Sequence, residues 1–86
     1  MNADLKQEVP TNRELLEVSR MRDMVRGGLV KEIRLNAALS LREVAEVVGV
    51  TPSAVFYWEQ GTNIPRGKPA VRYARLLLEL ESLARR

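Results

Sequence analysis

The stretch Leu39–Pro65, LSLREVAEVVGVTPSAVFYWEQGTNIP, constrains this chain more than any other. Its punctuation predicts two short helices joined by a tight turn. Ser40 followed by Glu43 forms a capping box, in which side chain and backbone at a helix start satisfy one another. Val44, Ala45 and Val48 then recur at helical spacing and give that helix one face to bury. Gly49 ends it, because the left-handed backbone needed there is penalised for residues with a side chain. Val50 is the apolar residue of the turn. Thr51 and Pro52 suit the N-cap and first position of the next helix, where proline's missing amide costs nothing. Val55, Trp58 and Glu59 are expected to point inward, and Gly61 closes the second helix. Two helices this short bury too little surface alone, so the flanking segments must complete the core.

At 86 residues the chain has room for one small domain, near the lower size for a single adequate core. It contains neither Cys nor His, so disulfides and the usual zinc sites have no ligands, as suits a reducing interior. The formal net charge of +3 is unevenly spread. Arg66, Lys68, Arg72, Arg75, Arg85 and Arg86 outweigh Glu79 and Glu81 after Gly61, while residues 30–60 are nearly neutral. A basic end beside this motif suits a phosphate backbone, although a solvated face has the same composition. No apolar run reaches membrane-spanning length and no signal peptide opens the chain, so a cytoplasmic, nucleoid-associated location is expected.

Residues 1–10 lack apolar periodicity and are expected to form a flexible tail. Thr11 and Glu14 make a second capping box before Leu15, Leu16, Val18, Met21, Met24 and Val25. This predicts an amphipathic helix from about Asn12 to Arg26, with Arg13, Glu17, Arg20 and Arg22 on the wet side. Gly27 and Gly28 should kink or end it. Residues 11–28 form an additional N-terminal helix, read as a packing element, with a dimer contact as the alternative. Residues 29–86 are expected to form the main domain. Its first helix, Leu29 to Ala38, carries an apolar stripe of Leu29, Val30, Ile33 and Ala37. Pro69 suits the first turn of a last, long helix. Ala70, Tyr73, Ala74, Leu77 and Leu80 make that helix's inner stripe, while Leu76, Leu78 and Leu83 lie off it. Such excess leucine implies a neighbour, either the N-terminal helix or a second subunit. The fold class is all-α.

Arg34, Leu39-Ser40, Val44-Ala45, Gly49-Val50-Thr51, Ser53, Val55, Trp58-Glu59, Gly61 and Pro65 resemble the lambda-repressor/Cro-like (XRE) helix-turn-helix family. The resemblance spans roughly Leu29 to Leu80 without a break in spacing. It implies a compact bundle of about five helices whose second motif helix enters the DNA major groove. It implies an ion pair between Arg34 and Glu59 that ties the first family helix to the end of the recognition helix. It places Pro52, Ser53 and Tyr57 nearest the base edges, flanked by Ala54 and Phe56. This set is poor in polar groups, so specificity should be soft or lean on DNA shape. The family commonly has a phosphate-holding glutamine where Leu41 stands, leaving Ser40 with its neighbouring amides and Arg42 for that task. Thr51 is a further phosphate candidate. Gln60, Asn63, Arg66 and Lys68 are assigned to the other flank, a polar loop being the plain alternative. Trp58 is expected in the core and Phe56 partly exposed.

Catalysis has little support. No nucleophile partner or phosphate loop is present, and Asp4, Asp23, Glu43 and Glu46 show no metal-ligand clustering. No cofactor is expected. The reading is a DNA-binding regulator, repressor-like, of the phage-repressor or antitoxin kind, bound to duplex DNA as a homodimer through its N-terminal or C-terminal helix. The alternatives are a protein-interaction adaptor using the Phe56/Tyr57 face and an excisionase-like recombination factor. The latter needs a strand hairpin after Pro65, where the sequence is helix-forming.

Overall fold

Four of the chain's helices stop in the same way, and these stops set the architecture. The computed structural model describes residues 9–85, which form α1 (Asn12–Arg26), α2 (Val30–Asn36), α3 (Leu41–Val48), α4 (Pro52–Glu59) and α5 (Gly67–Ala84). After each of α1 to α4 one residue takes a left-handed conformation: Gly28, Ala38, Gly49 and Gly61. The next amide then reaches back five residues to a helix carbonyl: Leu29 to Met24, Leu39 to Arg34, Val50 to Ala45 and Thr62 to Tyr57, at 3.0–3.2 Å. This closes the carbonyls that each helix end leaves without partners and reverses the chain within two residues. Ala38, with φ +59°, holds this conformation despite its side chain.

The helix starts follow their local chemistry equally closely. Both capping boxes form, Thr11 with Glu14 and Ser40 with Glu43, and Thr51 Oγ1 accepts from the Ala54 amide. The first family helix is shorter than its sequence suggests. Leu29 is its N-cap and 46 % exposed, so it does not belong to the buried stripe. Its amide already closes α1, which holds the residue at the surface corner between the two helices.

Val18, Met21, Met24 and Val25 of α1 join Val30, Val44, Ala45, Val48, Val55, Trp58, Ala70, Tyr73, Ala74 and Leu77 in one core. The neighbour of the leucine-rich last helix is α1, which packs against it within the same chain. Leu76 and Leu78 lean on this core, whereas Leu83 stays exposed near the helix end. Leu15 and Leu16, expected among the apolar residues of α1, are exposed instead. Leu16 lies off the line of Val18, Met21 and Val25, and Leu15 falls in the first turn, on the wall of an open groove with Val9 and Val71. Of the tail expected over residues 1–10, all but Val9 and Pro10 lie outside the described residues, as does Arg86.

Arg22 departs from its expected wet position. Its Nε and Nη2 donate to the Pro65 carbonyl at 3.2 and 2.9 Å, so α1 fastens the loop between α4 and α5. A second arginine, Arg72 of α5, aims Nη1 at the Val48 carbonyl at 3.4 Å, placing positive charge at the C-terminus of α3. A Cβ on Gly49 would lie 2.9 Å from that nitrogen. Gly49 is required by its φ of +86°, whereas the flexible end of Arg72 can give way to a Cβ there. No helix of the described residues is long and apolar enough to cross a membrane.

Candidate nucleic-acid interface

The α3–turn–α4 unit presents one face of α4 to water because the opposite face is fixed in three ways. Val55 is fully buried, and Trp58 packs against Tyr73 with ring centroids 4.8 Å apart and a 43° tilt. Glu59, one turn beyond Val55, is the third anchor. The Arg34 guanidinium donates from Nε and Nη2 to its two carboxylate oxygens at 2.6 and 3.0 Å, and from Nη1 to the Leu39 carbonyl at 2.9 Å. One side chain of α2 thus holds both the turn entering α3 and the last residue of α4. The Glu59 side chain is 2 % exposed and that of Arg34 10 %. The forked geometry satisfies both partners, as a desolvated charge pair requires. The Glu59 hydrogen bond raises the Arg34 pKa against the opposing effect of burial. Burial pushes the neighbouring Tyr73 phenol far above its usual range, and the Glu59 charge adds to the shift.

With Val55, Trp58 and Glu59 inward, helical geometry turns Ser53, Phe56, Tyr57 and Gln60 outward. Pro52 and Ser53 are exposed, Ala54 is half-buried, and Phe56 and Tyr57 are 44 % and 46 % exposed. The two rings meet edge to face, 5.5 Å apart. The base-contact candidates Pro52, Ser53, Ala54 and Tyr57 therefore lie on the accessible part of α4.

The phosphate-contact candidates are all exposed, but they are not equally available. Ser40 Oγ accepts from the Glu43 amide at 3.0 Å, and the Ser40 amide donates to Glu43 Oε1 at 2.9 Å. An anion at this helix start is left with the Ser40 hydroxyl hydrogen and the Leu41 and Arg42 amides, which have no acceptor within the helix. The Thr51 hydroxyl keeps its hydrogen in the same way. Leu41 leans on the core. The Arg42 and Arg66 side chains have no partner among the described residues. Gln60, Asn63, Arg66 and Lys68 flank the loop that Arg22 fastens at Pro65.

Much of the C-terminal positive charge is engaged within the chain. Arg75 pairs with Glu14 at 3.0 Å and Glu17 at 3.4 Å, Arg85 with Glu81 at 3.3 Å, and Arg72 caps α3. Arg20 joins Glu81 at 3.2 Å, completing a set of polar ties between α1 and α5. Among these basic side chains, Arg66 at the start of α5 is left without a partner among the described residues. Sequence reasoning missed Arg22 and Arg72 as positioning residues, since no spacing rule links either to a carbonyl on a distant element.

Helical structure over residues 67–84 leaves no place there for the strand hairpin of an excisionase-like wing. The family model described as "Helix-turn-helix" matches residues 30–78, more than half of the chain. No curated protein and no solved structure gives a significant match. The matched span runs from the start of α2 well into α5 and contains the Arg34–Glu59 pair, both motif helices and the turn at Gly49. The chain belongs to the lambda-repressor-like (XRE) helix-turn-helix family of DNA-binding regulators.

Proposed function

We propose that the protein is a repressor-type transcriptional regulator that lays α4 in the major groove of duplex DNA. The observation carrying this reading is the divided surface of α4. Its inner side is locked by Val55, Trp58 and the Arg34–Glu59 fork, while the side bearing Ser53 and Tyr57 stands in solvent. A short rigid helix with one free side is what a groove of about 12 Å admits. In this reading Pro52, Ser53, Ala54 and Tyr57 face base edges. Ser40, Arg42 and Thr51 meet one phosphate strand, and Gln60, Asn63, Arg66 and Lys68 the other. The domain over residues 29–86 does the reading, and the helix within residues 11–28 braces it through Arg22. A homodimer through α1 or α5 places two copies of α4 on inverted half-sites about 34–36 Å apart. Leu16 of α1 and Leu83 of α5, both exposed, support such a contact. Action inside the cell, on the nucleoid, follows from the same reading.

A salt titration of binding to duplex DNA tests it. The logarithm of the affinity should fall linearly with that of the salt concentration, with a slope of about 0.9 per phosphate contact. Arg66→Ala and Lys68→Ala should weaken all sequences alike, each lowering the slope by about 1. Tyr57→Ala should instead reorder the preferred sites. The competing reading is an adaptor that binds a polypeptide through the Phe56–Tyr57 edge-to-face pair. Absence of duplex binding at low salt, with capture of a protein partner lost in Phe56→Ala, decides for the adaptor.

A further inference from the structure

The free side of α4 carries very little hydrogen-bonding capacity. Its eight residues, PSAVFYWE, include one carboxylate, and Arg34 holds that carboxylate in the interior. Within Pro52–Glu59 no amide, guanidinium or ammonium side chain projects, and the exposed Gln60 amide follows only at the C-cap, on the side assigned to phosphate. The outward polar atoms are the Ser53 hydroxyl and the Tyr57 phenol. A hydroxyl both donates and accepts, so it pairs with any base edge and discriminates weakly among them. Beside these hydroxyls stand the exposed Pro52 and Phe56 rings, while the half-buried Ala54 methyl group leans on the core. In the major groove, the base-pair feature that an apolar group can recognise is the C5-methyl of thymine.

We infer that α4 reads its site chiefly through thymine C5-methyl groups, with the Phe56 and Tyr57 rings as the contacting surface; the inference rests on the groove-binding function proposed above. The ligand class is thus duplex DNA with thymines at fixed positions in each half-site. Guanine and adenine edges then contribute little, because nothing on α4 can span two of their acceptors and donors at once. The Arg34–Glu59 fork serves this chemistry by keeping the one charged group of α4 out of the groove, where a carboxylate would repel phosphates and reject methyl contact. Shape complementarity of an apolar strip to a row of methyl groups also demands a rigid helix, which the Trp58–Tyr73 packing and the Arg34 tie supply.

The test begins with the tightest duplex obtained by selection from a random library. Each thymine in it is replaced, one at a time, by uracil, which keeps every hydrogen-bonding group and removes the methyl. Affinity of the full chain should drop about fourfold at each contacted thymine. Purines replaced by 7-deazapurines, which lose the major-groove N7 acceptor, should leave the affinity unchanged. Tyr57→Phe, which removes the hydroxyl and keeps the ring, should retain the uracil penalty. Loss of affinity with 7-deazapurines but not with uracil would overturn the inference, as would indifference to both, which marks readout through DNA shape. Loss of site-specific binding in Tyr57→Phe would also overturn it. In those three cases the protein still binds DNA and the proposed function stands; absence of binding to every duplex removes both.

Discussion

α3 and α4 are the same length, yet opposite kinds of sequence hold them in place. Leu41–Val48 follows local helix rules almost throughout. It has a complete capping box, a glycine stop, and an apolar side of Val44, Ala45 and Val48 set against a wet side of Arg42, Glu43 and Glu46. Val47, exposed on that wet side, is the exception. Pro52–Glu59 has a threonine cap, no acidic residue in its first turn and no basic residue in its last. Its apolar residues occur on the inner and outer sides alike. A helix that is apolar all round has no amphipathic reason to prefer one orientation. The surrounding structure must therefore choose for it, and Arg34, Tyr73 and the α3 turn make that choice. The difference teaches that α3 is specified by its own sequence, whereas α4 is specified by its neighbours and keeps its other side in solvent.

Removing the external support of α4 should produce the largest effect. Glu59→Ala or Arg34→Ala leaves one desolvated charge without its partner, and each should cost about 3–5 kcal/mol in urea denaturation followed by Trp58 fluorescence. The cost should exceed that of any single change on the wet side of α3. If both variants lose less than about 1 kcal/mol, the fork behaves as an ordinary surface ion pair, and the contrast between the two helices fails.

The next effect lies within α3 and tests whether its two sides really differ. Val48 is fully buried and Val47 is 64 % exposed, although the residues are adjacent and chemically identical. Val48→Ala should destabilise by about 2–3 kcal/mol, combining lost burial with the cavity left behind. Val47→Ala should stay within about 0.5 kcal/mol. Thermal or chemical denaturation of the two variants, run side by side, measures the difference. Similar losses would mean that Val47 is covered in solution, as it would be in a dimer.

The same contrast explains how much of the molecule was legible in its sequence. Thr11 with Glu14, Ser40 with Glu43, Gly49, and Thr51-Pro52 act through residues within one or two turns of themselves, so their spacing carries the information. Arg34 with Glu59 was legible through family resemblance alone, because 25 residues separate them and no periodicity connects them. Leu15, Leu16 and Leu29, counted among the apolar residues of their helices, are exposed. A hydrophobic stripe gives the direction of a helix face, but not how far along the helix the packing partner extends. Ala38 gave no sign of its left-handed backbone, since alanine lacks the glycine signature that marked the other stops. Arg22 and Arg72 look like any wet-side arginine until the chain has folded and brought the Pro65 and Val48 carbonyls to them. The outward side of α4 was legible as a list of residues, and its accessibility followed from Val55, Trp58 and Glu59 being held inward.

The smallest effect concerns the start of α3, where local specification should be visible as a response to acid. Hydrogen bonds from the Ser40 backbone and side chain hold the Glu43 carboxyl below its usual pKa. A carboxyl whose pKa is lower in the folded state stabilises that state above the unfolded value, and the contribution disappears as pH falls through the folded one. The capping box should therefore be intact at neutral pH and weaken in acid, with a midpoint below that of a free glutamate. The start of α4 lacks such a group, for its cap is a threonine hydroxyl and its third position is Ala54. In an NMR pH titration the Ser40 amide should shift with the protonation of Glu43, at a midpoint below that of a free glutamate. Glu43→Gln, whose side-chain oxygen can still accept from the Ser40 amide, should keep the cap and abolish the shift. A Ser40 amide that titrates equally in Glu43→Gln would show that a different acid governs this turn. The start of α3 would then depend on its surroundings, as α4 does.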